Sequence, residues 1–128
     1  MTLVVDSSAI VAIILAEAEA AAFGERLLDN DAVMAAPNQL ETLMVLSRRP
    51  GAEAALSGVL RAYNIQIAPF TADLVPLAHD AFVRFGKGRH AAGLNFGDCI
   101  AYALARARRA PLLFKGRDFA LTDVVPAL

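Results

Sequence analysis

Four acids in this chain stand where the sequence changes from one kind of element to another. Asp6 directly follows the apolar run Leu3-Val4-Val5, Glu41 lies early in an apolar helical segment, Asp98 sits at the mouth of the alanine-rich stretch GLNFGDCIAYALA, and Asp118 comes shortly after Leu112-Leu113-Phe114. Each has an ordinary structural use. Asp6 suits the cap of a helix starting near Ser8, Glu41 a macrodipole acid, Asp98 a capping box with Asn95, and Asp118 the cap of a short turn from Phe119 to Thr122. Brought together, the four do different chemistry. Clustered carboxylates repel one another, so they hold protons or require a cation. An all-oxygen set without a His or Cys cluster selects a hard ion, Mg²⁺ or Mn²⁺ before Zn²⁺. His79 reads as a helix-face residue. His90 is either a substrate contact or simply solvent-exposed.

The elements that would bring the acids together follow from hydrophobic patterning. Residues 3–5, 33–36, 65–68 and 112–114 are short apolar runs of the kind that form buried parallel strands, with a short fifth at Val124 and Val125. Helical spacing occupies 8–16, 18–29, 37–48, 52–63, 71–85 and 97–109. Leu40, Leu43, Met44 and Ser47, and later Leu74, Leu77, Ala78 and Ala81, follow the i, i+3, i+4, i+7 rule. Pro37 suits a first helical turn and Thr71 an N-cap. Strands alternating with helices predict an α/β fold with a parallel sheet covered on both sides, and such sheets bind ligands beyond the carboxyl ends of their strands. All four acids fall at that edge. The longest loop-like segment is RFGKGRHAAGLNFG, residues 84–97, with four glycines and four positively chargeable side chains.

Length and composition predict one domain over residues 1–128 with a substantial core: 57% of the residues are hydrophobic. The run AIVAIILA (9–16) is too short to span a bilayer and lacks a basic leader, and Cys99 has no cysteine to pair with, so a reducing cytoplasm is expected. A net charge of −1 argues against nucleic-acid binding by bulk charge. Its distribution is uneven, however, with residues 1–80 carrying −6 and residues 81–128 carrying +5.

The segments VVDSSAIVAIIL, Leu40-Glu41-Thr42, GLNFGDCIAYALA and LLFKGRDFALTD together resemble a PIN-domain ribonuclease of the VapC toxin type, from residue 3 to residue 125. The resemblance implies a three-layer α/β/α PIN-like fold with a mostly parallel sheet of four to five strands. It also implies Mg²⁺- or Mn²⁺-dependent endonucleolytic cleavage of RNA, inhibition by a cognate VapB-like antitoxin, and a homodimer. The family's acidic quartet maps onto Asp6, Glu41, Asp98 and Asp118. Ser8 matches the hydroxyl residue that supports the first acid, and Asn95 the polar residue preceding the third. At the fourth position the sequence departs from many relatives: Gly116 stands where a Thr or Ser is common, and Asp123 offers a second acid nearby.

On this view Asp6 and Asp98 are direct metal ligands, Glu41 and Asp118 act through water or position the attacking water, and Ser8 orients Asp6. RNA must then be held by bases after residue 81: Arg84, Lys87, Arg89, His90, Lys115 and Arg117, with Lys115 and Arg117 favoured by position. Phe23, Leu27, Leu28 and the apolar helix 37–48 are either core, which helical spacing favours, or surface for an antitoxin helix or second subunit. The alternatives are a catalytically silent PIN-like protein, a receiver-like regulatory module and a metal-dependent phosphatase. The receiver pattern lacks its acceptor acid here, since the third strand ends in Ala68-Pro69-Phe70.

Overall fold

Neighbouring residues of the first two strands point into different cores, and that alternation places the sheet between two helical layers. A computed structural model describes residues 1–128. Its elements run β1 (Thr2–Val5), α1 (Ser7–Ile14), α2 (Ala20–Leu28), β2 (Asp31–Ala35), α3 (Ala36–Val45), α4 (Ala52–Ala62), β3 (Ile65–Ala68), α5 (Val75–Phe85), α6 (Phe96–Arg108) and β4 (Leu112–Leu113). Val4, Val33 and Ala35 pack with Leu74, Ala81 and the buried side of α6. Leu3, Val5, Ala32 and Met34 pack with Ala9, Ile10, Phe23, Leu27 and Leu56 from α1, α2 and α4. The period-2 alternation of a strand thus feeds two cores from one sheet. The result is the expected three-layer α/β/α arrangement.

All strand pairs are parallel, in the order β3-β2-β1-β4. The chain moves outward from β1 through β2 to β3, then crosses to add β4 on the other side. The order therefore reverses between β1 and β4, and the crevice beyond their carboxyl ends is where such sheets bind ligands. Two bonds stitch that point together: the Asp6 N–H donates to Leu113 O (2.9 Å) and the Lys115 N–H to Ser8 Oγ (2.9 Å).

Several expectations need correction. The fifth strand is reduced to a single parallel bridge, Leu112 to Pro126. Thr71 caps no α-helix. It precedes a 3₁₀ turn, Ala72–Leu74, and its hydroxyl bonds to Asp73 rather than to a backbone N–H. The segment 84–97 is shorter as a loop than its composition suggested, because α5 runs through Phe85 and α6 starts at Phe96. The largest correction concerns α3. Leu40, Met44 and Val45 are exposed and Leu43 only half-buried, whereas Asn38 and Thr42 are fully buried. The apolar stripe of α3 points outward because its polar stripe faces the acidic crevice between α1 and α6. Among the other residues in doubt, Phe23 and Leu27 are core and Leu28 is exposed.

Candidate metal centre

Asp6 is buried at the end of β1 and caps α1, accepting the Ser8 N–H on Oδ2 at 3.0 Å. Its other oxygen, Oδ1, is buried without a hydrogen-bond partner. Burial pushes its pKa up to about 7; hydrogen bonding from Ser8 opposes the rise, and the charges of Asp98 and Glu41 add to it. An unpartnered buried carboxylate oxygen is costly unless a proton or cation meets it.

Asp98 takes part in the capping box. Asn95 Oδ1 accepts the Asp98 N–H at 2.9 Å, and Asp98 Oδ2 accepts the Asn95 N–H at 3.0 Å. Here too only one carboxylate oxygen is used. Burial raises its pKa to about 6 against the Asn95 bond, helped by the charges of Asp118 and Glu41. The capping reading of Asp98 is therefore correct, and it coexists with membership of the acidic set.

Glu41 is held through Oε1 alone, by the Ser7 hydroxyl at 2.6 Å and Asn38 Nδ2 at 3.1 Å. The same Asn38 amide donates to Gly97 O at 3.0 Å. Asp118 is exposed, flanks the short turn Phe119–Leu121, and makes no side-chain cap bond. Asp123 lies apart from the set. It accepts from Tyr102 Oη (2.7 Å), Arg106 (2.9 Å) and Arg84 (3.1 Å). Burial raises its carboxyl, but those bonds and charges outweigh it and hold the pKa below the ordinary value. Asp118, not Asp123, is the acid whose charge reaches Asp98.

Four carboxylates thus share one edge, and three of them bind the protein through a single oxygen. They are not drawn into a closed cage, since no three His, Cys, Asp or Glu side chains stand close enough together to hold an ion directly. The oxygen-only donor set and the orphaned Asp6 Oδ1 nonetheless fit a hard divalent cation with some ligands acting through water. A groove of about 600 Å³ lies at the opposite edge of the sheet and is lined by Met1, Pro111 and the end of α6. It contains none of these four acids.

A family model described as PIN domain matches residues 3–125. The chain belongs to the PIN-domain family. Among its relatives, VapC ribonuclease Mb0625 of Mycobacterium bovis and ribonuclease VapC28 of Mycobacterium tuberculosis are each 43% identical over 130 aligned positions, covering 98% of both chains. Ribonuclease VapC of Mycolicibacterium smegmatis is 41% identical, covering 95% of this chain and 97% of that one. In structure, the PIN domain here is similar to Mycobacterium tuberculosis VapC20, described as a sarcin-ricin loop cleaving toxin. The TM-score is 0.75 with 20% identity, and 96% of each chain is covered. These likenesses place the chain among VapC proteins and remove the receiver-domain alternative. No helix is long and apolar enough to cross a membrane.

The basic residues expected to hold RNA differ in what already engages them. The Lys115 ammonium is engaged by Glu17 (3.0 Å) and Glu19 (3.4 Å), so it is not a free cation beside Asp118. Arg84 is tied to Asp80 and Asp123 and lies over the Phe85 ring. His90 Nδ1 accepts the Ala92 N–H while its ring packs edge-on against Phe85, which makes it part of a turn. Arg89 lies over Phe82. Arg117 and Lys87 are exposed and without ion pairs, and His79 is exposed on α5 as expected.

Ser8 supports Asp6 through its backbone N–H, while its hydroxyl accepts from Lys115 and ties the β4 loop to α1. Ser7, Asn38 and Gly97 escaped the sequence reading. Their trace was the polar spacing Asn38, Glu41, Thr42, which runs out of phase with the apolar residues of the same helix.

Proposed function

We propose that this PIN-domain protein is a metal-dependent endoribonuclease toxin, hydrolysing RNA phosphodiester bonds at the acidic edge and neutralised by a cognate VapB-like antitoxin. One observation carries the site assignment: Asp6, Glu41 and Asp98 each give one oxygen to the protein and keep the other free of protein donors. The ribonuclease names of relatives at about 40% identity over nearly the whole chain support RNA as the substrate.

Asp6 and Asp98 would hold Mg²⁺ or Mn²⁺ directly, with Glu41 and Asp118 acting through water. A cation so bound supplies two things, a lowered pKa for the attacking water and stabilisation of charge in the in-line transition state. The chain's own residues supply orientation. Ser8 fixes one oxygen of Asp6, the Asn95 backbone fixes one of Asp98, and Ser7 with Asn38 fixes one of Glu41, so the remaining oxygens are constrained before substrate arrives. Arg117 and Lys87 are exposed bases suited to phosphate contacts, with Arg89 and His90 in the same α5–α6 loop as Lys87. The exposed Leu40, Met44 and Val45 of α3 support a protein partner on that face, an antitoxin segment or a second subunit. A cytoplasmic location fits an RNA substrate and a single unpaired cysteine.

The test is cleavage of structured RNA by antitoxin-free protein in Mn²⁺ or Mg²⁺, with EDTA and Asp6→Asn as controls. Metal-dependent fragments lost in Asp6→Asn support the assignment. Cleavage that persists in EDTA, or hydrolysis of a phosphate monoester with no effect on RNA, overturns it.

A further inference from the structure

Asn38 joins two of the acidic elements. Its Nδ2 donates at once to Glu41 Oε1, on its own helix, and to Gly97 O in the first turn of α6, immediately before Asp98. Both neighbours are acceptors, so this face of the side chain must present the amide NH₂, and Asp in its place would set an acceptor against two others. The residue is fully buried, and its backbone carbonyl accepts from the Thr42 hydroxyl at 2.8 Å, which holds the turn from inside.

Gly97 completes the contact from the other side. A Cβ built there would lie 2.0 Å from Glu41 Oε2 and 2.5 Å from its carboxyl carbon. The Glu41 carboxylate is therefore packed against the bare backbone of α6. Any side chain at 97 must push it away.

We propose that Asn38 and Gly97 are positioning residues that set the spacing between Glu41 and Asp98, and so tune the cleft for its divalent cation. This rests on the assignment of the acidic set as a cation site. Asn38 draws α3 and α6 together through one amide, while the missing Cβ at 97 lets the carboxylate approach. Each acts through Glu41.

The two residues differ usefully in what they do to the fold. Asn38→Leu removes a buried hydrogen-bonding group and risks folding. Gly97→Ala instead adds a better helix former to α6, and its cost falls on the Glu41 carboxylate. The loss of cation affinity in Gly97→Ala should therefore depend on Glu41 being present, which a merely structural role does not produce.

The experiment is Mn²⁺ titration by calorimetry, with thermal melting in EDTA and RNA cleavage, on wild type, Asn38→Leu, Gly97→Ala, Glu41→Ala and the Gly97→Ala/Glu41→Ala pair. Gly97→Ala should keep a cooperative melt in EDTA yet bind Mn²⁺ on the order of tenfold more weakly. That loss should vanish once Glu41 is Ala, because the new Cβ then meets no carboxylate. Unchanged Mn²⁺ affinity in Gly97→Ala beside a wild type that binds Mn²⁺ overturns the positioning roles alone, and so does a loss of equal size in the Glu41→Ala background. A wild type that binds no Mn²⁺ overturns the cation site itself and the inference with it.

Discussion

At the residue scale, Asp6 carries the sharpest consequences because it is both buried and short of partners. Its pKa near 7 in the fold stands well above the ordinary carboxylate value of 3.8. A raised carboxyl pKa means the folded state binds the proton more tightly than the unfolded chain does, so metal-free stability falls as pH rises from about 4 towards 7 and stays low above it. Melting in EDTA should accordingly occur at lower temperature at pH 8 than at pH 5.5. Protons compete with a cation for Asp6 and Asp98, so Mn²⁺ affinity should move the other way and increase from pH 5.5 to pH 8, as a pH series of titrations would record. Asp6→Asn removes the buried charge, keeps an acceptor for the Ser8 N–H, and should stabilise the metal-free protein at pH 8 by on the order of 1–3 kcal/mol while abolishing cleavage. A destabilised Asp6→Asn would mean that the carboxylate is structural. Asp123 supplies the contrast. Asp123→Ala should cost on the order of 1 kcal/mol through its Tyr102 and arginine contacts and leave Mn²⁺ affinity unchanged, whereas Asp118→Ala should weaken Mn²⁺ binding with little effect on melting.

At the element scale, helix termini do most of the positioning. Asp6 caps α1, and Asn95 with Asp98 forms the capping box of α6, so local capping chemistry and the candidate cation site use the same carboxylates. Asn95→Ala should therefore act twice, costing about 1 kcal/mol of stability for the lost cap and weakening Mn²⁺ binding by loosening Asp98. Calorimetry and melting on that one variant check both. The strands and most helices were legible because each carries its own periodicity, and Asp6, Asp98 and Asp118 were legible because each stands close to an element boundary, while Glu41 lies within α3. α3 itself was not legible, since the spacing of Leu40, Leu43, Met44 and Ser47 suggested a core face that tertiary packing assigns instead to Asn38 and Thr42. The ion pairs of Lys115 were hidden for a related reason. Its place beside Asp118 in sequence says nothing of Glu17 and Glu19, which reach it from the α1–α2 connection. Long-range pairing of charges and the choice of outward face are properties of the assembled layers, and no local pattern encodes them.

At the scale of the whole molecule, the reversal of strand order between β1 and β4 explains why acids from distant parts of the chain converge. Asp6 leaves β1, Asp118 follows β4, and α3 and α6 bring Glu41 and Asp98 to the same edge. The charge distribution completes the picture, with most of the basic excess lying after residue 81 and the acidic excess before it. RNA held by those bases should dissociate more readily as salt rises, and Arg117→Ala should reduce the salt slope of binding by about one while leaving Mn²⁺ affinity unchanged. The acidic edge as a cation-dependent nuclease site is the central claim. Its most direct test is RNA cleavage by antitoxin-free protein in Mn²⁺ against EDTA, beside a folded Asp98→Asn variant that keeps the capping box through its side-chain oxygen. Discrete fragments that require Mn²⁺ and disappear in Asp98→Asn are the predicted result. Fragments that survive EDTA, or that Asp98→Asn produces at the wild-type rate, would contradict it and leave Asp98 as a helix cap alone.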